Sequence, residues 1–169
     1  YLEEQADEEL TDVSVTKKYG SIGCWDTSNV TDMSEALAYM NFHSDKVEEQ
    51  LGCWDVSKVT SFENMFHGNK IFNQDLSPWN TAQGKNFKTM FLHADSFNQN
   101  IASWDMTNVE DASNMFYMAE SFNQDMCAWK PYFSTVDDQN ASSMFSHSGC
   151  PAHDDWGTNK KPENFCHEC

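Results

Sequence analysis

The sequence predicts a repeat solenoid of about five coils. Three sets of markers return with one period along the 169 residues: a tryptophan, a Phe-Asn-Gln motif and a Met-Phe pair. The tryptophans are Trp25, Trp54, Trp79, Trp104 and Trp129, at steps of 29, 25, 25 and 25 residues. An apolar residue must return to the same side of each coil in order to pack on its equivalent, so a shared period indicates stacked coils.

A 25-residue unit is too small to enclose a core of its own. It contains about one Trp, two Phe and one Met, which stacking would bury against the same side chains of the next unit. We therefore expect Phe72, Phe97 and Phe122 to form one aromatic column. Burial of the repeat tryptophans is expected for the same reason, rather than exposure for stacking on sugars.

The pattern within each unit predicts one short parallel strand and one short helical or 3₁₀ turn. The stretch Trp-Asp-x-Ser/Thr-x-Val is typical of an extended segment that starts at an Asx or Ser/Thr turn. The stretch Met-Phe-x-x-Ala-x-x-Phe has apolar residues at i, i+1, i+4 and i+7, which favours one or two helical turns.

Three regions follow from this repeat. Residues 1–21 are predicted to be an acidic N-terminal cap, residues 22–147 the solenoid, and residues 148–169 a Cys-rich C-terminal cap. The first unit is degenerate, because Ala36-Leu37 replaces Met-Phe. Terminal units of repeat arrays commonly diverge in this way, since one of their faces meets solvent or a cap.

The charge composition argues against nucleic-acid binding. The formal net charge is −17, and all ten basic residues are lysines. Such a surface lacks the Arg-rich basic patches that contact phosphates. The acidity fits either a solvated, soluble surface or attraction for Ca²⁺ or cationic partners. No run of about 18 apolar residues is present, so no membrane span is predicted.

Cysteines and sequons favour a secreted protein. Six cysteines form an even, fairly dense set, and Asn29 and Asn140 head two N-glycosylation sequons. The first residue is Tyr1, which suggests a mature fragment whose targeting segment has been removed. Cys24 and Cys53 each precede a repeat tryptophan, so stacking should bring them within disulfide range; two free thiols are the alternative.

The other cysteines, Cys127, Cys150, Cys166 and Cys169, are expected to close the C-terminal cap as two disulfides. Three connectivities are open, and we favour Cys127 paired with Cys150 or with a tail cysteine. Cys166-His167-Glu168-Cys169 also has the shape of a zinc half-site or a redox pair. A single C-x-x-C without a second half-site or a thioredoxin-like pattern is a weak signal for either chemistry.

Two polar columns are predicted next to the aromatic ones. Asp26, Asp55 and Asp105 follow repeat tryptophans and would cap their own turns or, alternatively, share a Ca²⁺ ion. Asn73, Asn98 and Asn123 should form a buried ladder that satisfies backbone groups between coils. No metal site and no cofactor other than this Ca²⁺ alternative is predicted.

Aromatic residues outside the repeat pattern are the better ligand candidates: Tyr39, Phe42, Tyr117, Tyr132 and Trp156. His67, His93 and His147 follow Met-Phe pairs at neighbouring positions and could gather on one side. A surface metal site or pH sensor there is the less favoured interpretation.

The string NMFHGNKIFNQDLSPWN, residues 64–80, resembles the bacterial surface-protein (BspA-like) type of leucine-rich repeat. Proteins with this repeat include mycoplasma lipoproteins and protist and algal surface proteins. The resemblance covers roughly residues 22–147. It implies a right-handed, leucine-rich-repeat-like solenoid at a cell surface, with roles in adhesion or protein interaction and no catalytic residues.

No catalytic triad, nucleophile elbow, P-loop or zinc-protease motif is present. The sequence therefore predicts a non-enzymatic extracellular or cell-surface module, a protein-interaction or structural subunit of a larger assembly. Its expected partners are other proteins or extracellular matrix and glycans. A glycan-binding adhesin, assisted by Ca²⁺, is the alternative function, and an enzyme or redox protein is the third.

Overall fold

The computed structural model describes residues 22–40, 51–133, 141–151 and 164–168. In these ranges the regular elements are three 3₁₀ helices (Ile22–Cys24, Leu51–Cys53, Cys127–Trp129), one α-helix, α1 (Lys130–Phe133), and two strands, β1 (Asn164–Phe165) and β2 (His167–Glu168). The strands pair antiparallel, with Asn164 opposite Glu168. None of these helices is long and apolar enough to cross a bilayer.

The predicted fold, a right-handed leucine-rich-repeat-like solenoid of short parallel strands and short helical turns, is wrong. Across the described ranges the repeats contain no parallel strand. Extended pairing between repeats there is limited to three isolated parallel bridges: Asp32 with Ser61, Ser61 with Asn86, and Asn86 with Asp111. The repeats are built from consecutive turns, and the predicted N-terminal cap, residues 1–21, lies outside the described residues.

Left-handed backbone conformations are the physical reason for this difference. Each of the first four repeats has a residue with positive φ ten and fourteen positions after its tryptophan. In the third repeat these are Thr89 (φ 54°) and His93 (φ 55°). Strands and α-helices both require negative φ, so neither can continue through these positions. Most of the residues there are not glycine, so the sequence does not predict the left-handed conformation at these positions.

Alternate backbone N–H groups close turns within a repeat and join it to the next. We call residues eight to fourteen after each repeat tryptophan the turn segment: 33–39, 62–68, 87–93 and 112–118, with 141–147 as the fifth. Every second N–H from Phe62 to Gly68 donates to a carbonyl of the following repeat at 2.8–3.1 Å. The N–H groups of Met65 and His67 between them donate within the repeat, each at 3.1 Å.

These bonds between turn segments share one direction. Glu35 donates its N–H to the carbonyl of Glu63 in the next repeat at 2.8 Å, and Asn114 donates to Ser142 at 2.9 Å. At this edge of the stack each repeat thus offers N–H groups toward the C-terminal end and carbonyls toward the N-terminal end. The repeats are therefore held in register by a polar series of backbone hydrogen bonds rather than by a sheet.

The core consists of aromatic columns, as the period predicts. The first contains Phe72, Phe97 and Phe122, whose rings are parallel and 5.9–6.0 Å apart. The second contains Phe66, Phe91, Phe116 and Phe145, at 5.3–5.5 Å. All of these side chains are buried. Burial of one such ring stabilises the fold by about 1.5–3 kcal/mol.

The repeat tryptophans join successive repeats through a side-chain hydrogen bond. The indole Nε1–H of Trp54 donates to the carbonyl of Ile22, which begins the preceding repeat, at 2.8 Å. Trp79 and Trp104 repeat this contact with their own preceding repeats at 2.8 and 2.9 Å. The expected burial is confirmed for these tryptophans and for Trp129, whereas Trp25 in the first repeat is 38% exposed. Nε1 of Trp129 has no hydrogen-bond partner among the described residues.

A glycine in the third repeat lies close to a phenylalanine ring. Gly84 occupies the position where other repeats have valine. A Cβ atom on Gly84 would lie 2.4 Å from Cζ of Phe87, so the ring fills the space that a valine side chain would take. In the second repeat Val59 and Phe62 occupy the equivalent pair of positions, and both are fully buried. The close approach at Gly84 is therefore particular to the third repeat.

Candidate interaction surface

Tyrosine and histidine side chains line the edge of the stack at the end of successive turn segments. Four of them lie thirteen or fourteen positions after a repeat tryptophan, and the fifth ends the fifth turn segment; we call the set the Tyr–His stripe. Its members are Tyr39, His67, His93, Tyr117 and His147. None of them is buried.

The first two members form a direct contact. The rings of Tyr39 and His67 have centroids 4.7 Å apart, and the Tyr39 hydroxyl lies 3.2 Å from Nε2 of His67. Tyr39 is 67% exposed. Its ring lies over Gly68, where a Cβ would be only 2.6 Å from Cδ1 of the tyrosine. Gly68 has φ of 72°, which glycine adopts without strain, and the ring above it leaves no room for a side chain.

The other members are held by backbone hydrogen bonds and ring contacts. His93 donates its backbone N–H to the carbonyl of Tyr117 at 3.0 Å. The Nδ1 atom of His93 lies 3.8 Å from a carboxylate oxygen of Asp95. Tyr117 meets His147 edge to face, with ring centroids 5.3 Å apart. The side chains of the stripe are therefore positioned by the turn segments beneath them.

The imidazole of His67 is biased toward its neutral form. Partial burial is the largest cause that lowers its pKa below the ordinary 6.5, and the neighbouring His93 lowers it further. The carboxylate of Glu35 acts in the opposite direction. His67 therefore contributes a polar, uncharged ring to the stripe at neutral pH.

Only part of the stripe was visible in the sequence. Tyr39 and Tyr117 were predicted ligand candidates, and Tyr39 is exposed while Tyr117 is half-buried. Tyr132 is also half-buried and lies in α1; Phe42 and Trp156 lie outside the described residues. The sequence did not reveal the alternation of Tyr and His, because the stripe takes position fourteen from one repeat and position thirteen from the next.

The aspartates after the tryptophans cap their own turns. A carboxylate oxygen of Asp26 accepts the backbone N–H of Ser28 at 3.0 Å, and Asp55 accepts that of Ser57 at 3.0 Å. Asp105 accepts the N–H of Thr107 at 2.9 Å. Side-chain and then backbone hydrogen bonds from these partners lower the pKa of each carboxyl. The capping interpretation is thereby confirmed for all three.

The same device occurs at two further places in the repeat. Asp75 and Asn100, four positions before a tryptophan, each accept the N–H of the residue two positions on. Asp32 and Asp111, seven positions after a tryptophan, do likewise. Among the residues that the structure describes, no group of three or more His, Cys, Asp or Glu is arranged to hold a metal ion.

The asparagine ladder exists, but it lies at the surface instead of in the core. Asn73 accepts the backbone N–H of Asn98 on its side-chain oxygen at 2.9 Å, and Asn98 accepts that of Asn123 at 2.9 Å. The glutamines that follow reinforce it: Nε2 of Gln99 donates to the carbonyl of Asn73, and Gln124 repeats this on Asn98. The Phe-Asn-Gln motif thus combines one core ring with two amides that tie adjacent repeats together.

Cys53 is a free, exposed thiol. The predicted Cys24–Cys53 disulfide is therefore absent from the structure; the side chain of Cys24 lies outside the described residues. The 3₁₀ helices that carry the two cysteines do contact each other, as the repeat predicts. Equivalent positions in adjacent repeats thus bring the two backbones close together, but this closeness does not by itself produce a disulfide bond.

A disulfide between Cys150 and Cys166 closes the C-terminal end of the stack. Cys127 is also disulfide-bonded, so its predicted pairing with Cys150 is wrong, while pairing with a tail cysteine stays a prediction. Sγ of Cys166 lies 4.0 Å from the side-chain oxygen of Asn123, the atom type that accepts the next asparagine N–H elsewhere in the ladder. The tail therefore packs against the last asparagine of the ladder.

This bond also bears on the other interpretations of the tail. Because Cys166 is bonded to Cys150, it has no thiolate to offer a zinc ion and does not form a redox pair with Cys169.

Of the two predicted glycosylation sequons, the one at Asn29 lies at the surface. Asn29 is exposed and its side-chain oxygen accepts a hydrogen bond from Lys58 at 3.1 Å. Asn140 and Cys169 lie outside the described residues.

Comparison with known proteins places this chain in one family. No curated protein and no solved structure matches it. The model of one family, described as "Mycoplasma protein of unknown function, DUF285", matches residues 10–129 and, in an overlapping match, residues 35–156. These matches span most of the chain, and the protein accordingly belongs to the DUF285 family.

Proposed function

We propose that this protein is a non-enzymatic protein-interaction or structural module that acts outside the cell or at its surface. The observation that carries the proposal is the Tyr–His stripe, a row of partly exposed rings that runs across all the repeats. Tyrosine is enriched at protein interfaces because it offers a large apolar ring together with a polar group. Extended surfaces of this kind suit macromolecular partners.

The surroundings of the stripe support the same role. The core contains the other aromatic columns, and the repeated amides and carboxylates form hydrogen bonds in turns and ladders. In the described part of the chain the stripe residues, together with Trp25, are therefore rings that a partner can reach. The disulfide between Cys150 and Cys166 and the resemblance of the repeat to BspA-like surface proteins favour an extracellular location. Such a partner would contact rings along one edge and acidic side chains around them.

The experiment compares capture of surface proteins by the wild-type chain and by stripe variants. The immobilised protein is incubated with a cell-surface extract of the source organism, and captured proteins are cross-linked and identified by mass spectrometry. Binding of the purified partner is then measured by calorimetry. We expect the double variant His93→Ala/Tyr117→Ala to weaken binding by about 30-fold, which corresponds to the loss of one hot-spot side chain of about 2 kcal/mol.

Gln83→Ala is the matched control, because Gln83 is exposed in the third repeat and lies outside the stripe. It should bind like the wild type. Retention of binding by the stripe double variant, with an unchanged melting curve, would refute the proposed surface. Capture no greater than on a carrier protein would refute the interaction function itself.

A second candidate, the glycan-binding adhesin, has one specific observation in its favour. Two aromatic side chains of the first repeat, Trp25 and Tyr39, are 38% and 67% exposed, and the Glu35 carboxylate lies close enough to His67 to act on its pKa. Rings beside carboxylates are typical of sugar sites. A glycan array probed with and without a chelator tests this function, and specific glycan binding lost in Tyr39→Ala would favour it over the first.

A further inference from the structure

The two ends of the stack carry opposite backbone groups. In the first repeat the turn-segment carbonyls of Ser34, Ala36 and Ala38 accept no hydrogen bond within the described part of the chain. In the second repeat the equivalent carbonyls of Glu63 and His67 accept N–H groups from the repeat before, at 2.8 and 2.7 Å. Ala36 is exposed, and Ser34 and Ala38 are partly exposed, so the N-terminal edge is a row of open acceptors.

The fifth repeat presents the complementary groups. The backbone N–H groups of Ser143 and His147 donate no hydrogen bond to any residue that the structure describes. Both residues have left-handed backbones, with φ of 54° and 57°. Their equivalents in the fourth repeat, Asn114 and Met118, donate to the fifth repeat at 2.9 and 3.1 Å. Ser143 is partly exposed and His147 is exposed, so these donors lie at an accessible edge.

We propose that the protein associates head to tail with a second copy through these edges. The N–H groups of Ser143 and His147 in one copy would donate to the carbonyls of Ser34 and Ala38 in the next. This inference rests on the proposed role as an interaction module and names one partner. An edge of unpaired backbone groups is a general template for pairing with another chain.

The register of the two edges carries the argument. The donors are four residues apart, and so are the acceptors, which is the spacing of Glu35 with Glu63 and of Tyr39 with His67 inside the stack. Two N-terminal edges could not pair in this way, because both offer only carbonyls. The association is therefore heterologous and can extend beyond two copies.

Two features of the protein limit the strength of this head-to-tail association. The apolar side chains at the C-terminal end, Met144 and Phe145, are each 1% exposed, so the junction gains backbone bonds and edge contacts but little new core. The net charge of −17 also makes two copies repel each other. Salt screens this repulsion, with a Debye length of about 8 Å at 0.15 M. We expect association that is weak and strengthens with salt.

The test is sedimentation equilibrium of the full chain over a wide concentration range, at low and at high salt. The weight-average mass of the wild type should rise above 19.4 kDa with concentration, and more steeply at high salt. Ala36→Lys places a charged side chain on the acceptor edge and should stay monomeric. Gln83→Lys adds the same charge at an exposed position in the middle of the stack and should associate like the wild type.

A mixing experiment tests the polarity. Ser143→Lys obstructs the donor edge at a position where Glu35 and Thr89 show that long or branched side chains are compatible with the left-handed backbone. Each blocked variant alone should be monomeric, whereas an equal mixture of Ala36→Lys and Ser143→Lys should form dimers and nothing larger.

A wild type that stays monomeric at every concentration and salt, or association that survives Ala36→Lys, would overturn the proposal. Dimers of Ala36→Lys alone would overturn the polarity. None of these results affects the capture experiment with the stripe variants, so failure of self-association and failure of the proposed function are distinguishable. A melting curve for each variant excludes loss of fold as the cause.

Discussion

The indole hydrogen bonds between repeats lead to a paired prediction with an internal control. Trp104→Phe keeps a ring in the column but removes the Nε1–H that donates to the carbonyl of Leu76 at 2.9 Å. Trp129→Phe makes the same chemical change where the buried Nε1–H has no partner among the described residues. Both side chains are almost completely buried, at 2% and 0% exposure, so the loss of ring volume is common to the two variants.

The difference between the variants can be worked out from these contacts. The Leu76 carbonyl also accepts the backbone N–H of Trp79, so Trp104→Phe removes one of its two bonds, worth about 0.5–1.5 kcal/mol. Trp129→Phe removes an unpaired buried donor, which costs about 1–3 kcal/mol in the wild type. The free energy of unfolding should therefore fall further in Trp104→Phe, by about 1.5–4.5 kcal/mol relative to Trp129→Phe.

Urea unfolding followed by far-UV circular dichroism measures this difference without relying on tryptophan fluorescence. Each curve gives a midpoint and a slope, and equal slopes show that the variants expose the same surface on unfolding. Equal losses in the two variants, or a larger loss in Trp129→Phe, would refute the account of the tryptophan column as a series of hydrogen bonds between repeats.

Four other contacts each lead to a prediction. Phe91→Ala, at the centre of the second aromatic column, should lower the free energy of unfolding by about 3–5 kcal/mol in the same urea assay, and Phe91→Leu should lower it by less. Because the pKa of His67 is lower in the folded chain than its ordinary 6.5, the unfolded chain binds more protons as pH falls below 6.5. Stability should then decline below that pH, ahead of the acid loss from the aspartates, and His67→Gln should show a smaller decline in melting temperature; equal declines would contradict it. Replacing Cys150 and Cys166 together with serine should cost about 3 kcal/mol, since the bond spans 16 residues, and an unchanged urea midpoint would count against its role in closing the stack. Cys53→Ser should reduce the thiols titrated in the native protein by one; an unchanged count would contradict a free Cys53.

The sequence by itself determined which residues meet. A constant period brings Phe72 next to Phe97 and Trp79 next to Trp104, because packing of equivalent apolar side chains depends on spacing alone. The capping aspartates could be predicted too, since an Asx turn is a contact between residues two positions apart. Such local and periodic relations need no knowledge of the path that the backbone takes.

Only the tertiary structure decided that path. Left-handed residues such as Thr89 and His93 are stabilised by hydrogen bonds to the next repeat, and a propensity read along one segment does not include that contribution. The Tyr–His stripe and the opposed edges at Ala36 and His147 depend on the same turns. The period therefore fixes which side chains stack, whereas the hydrogen bonds between repeats fix the backbone conformation that carries them.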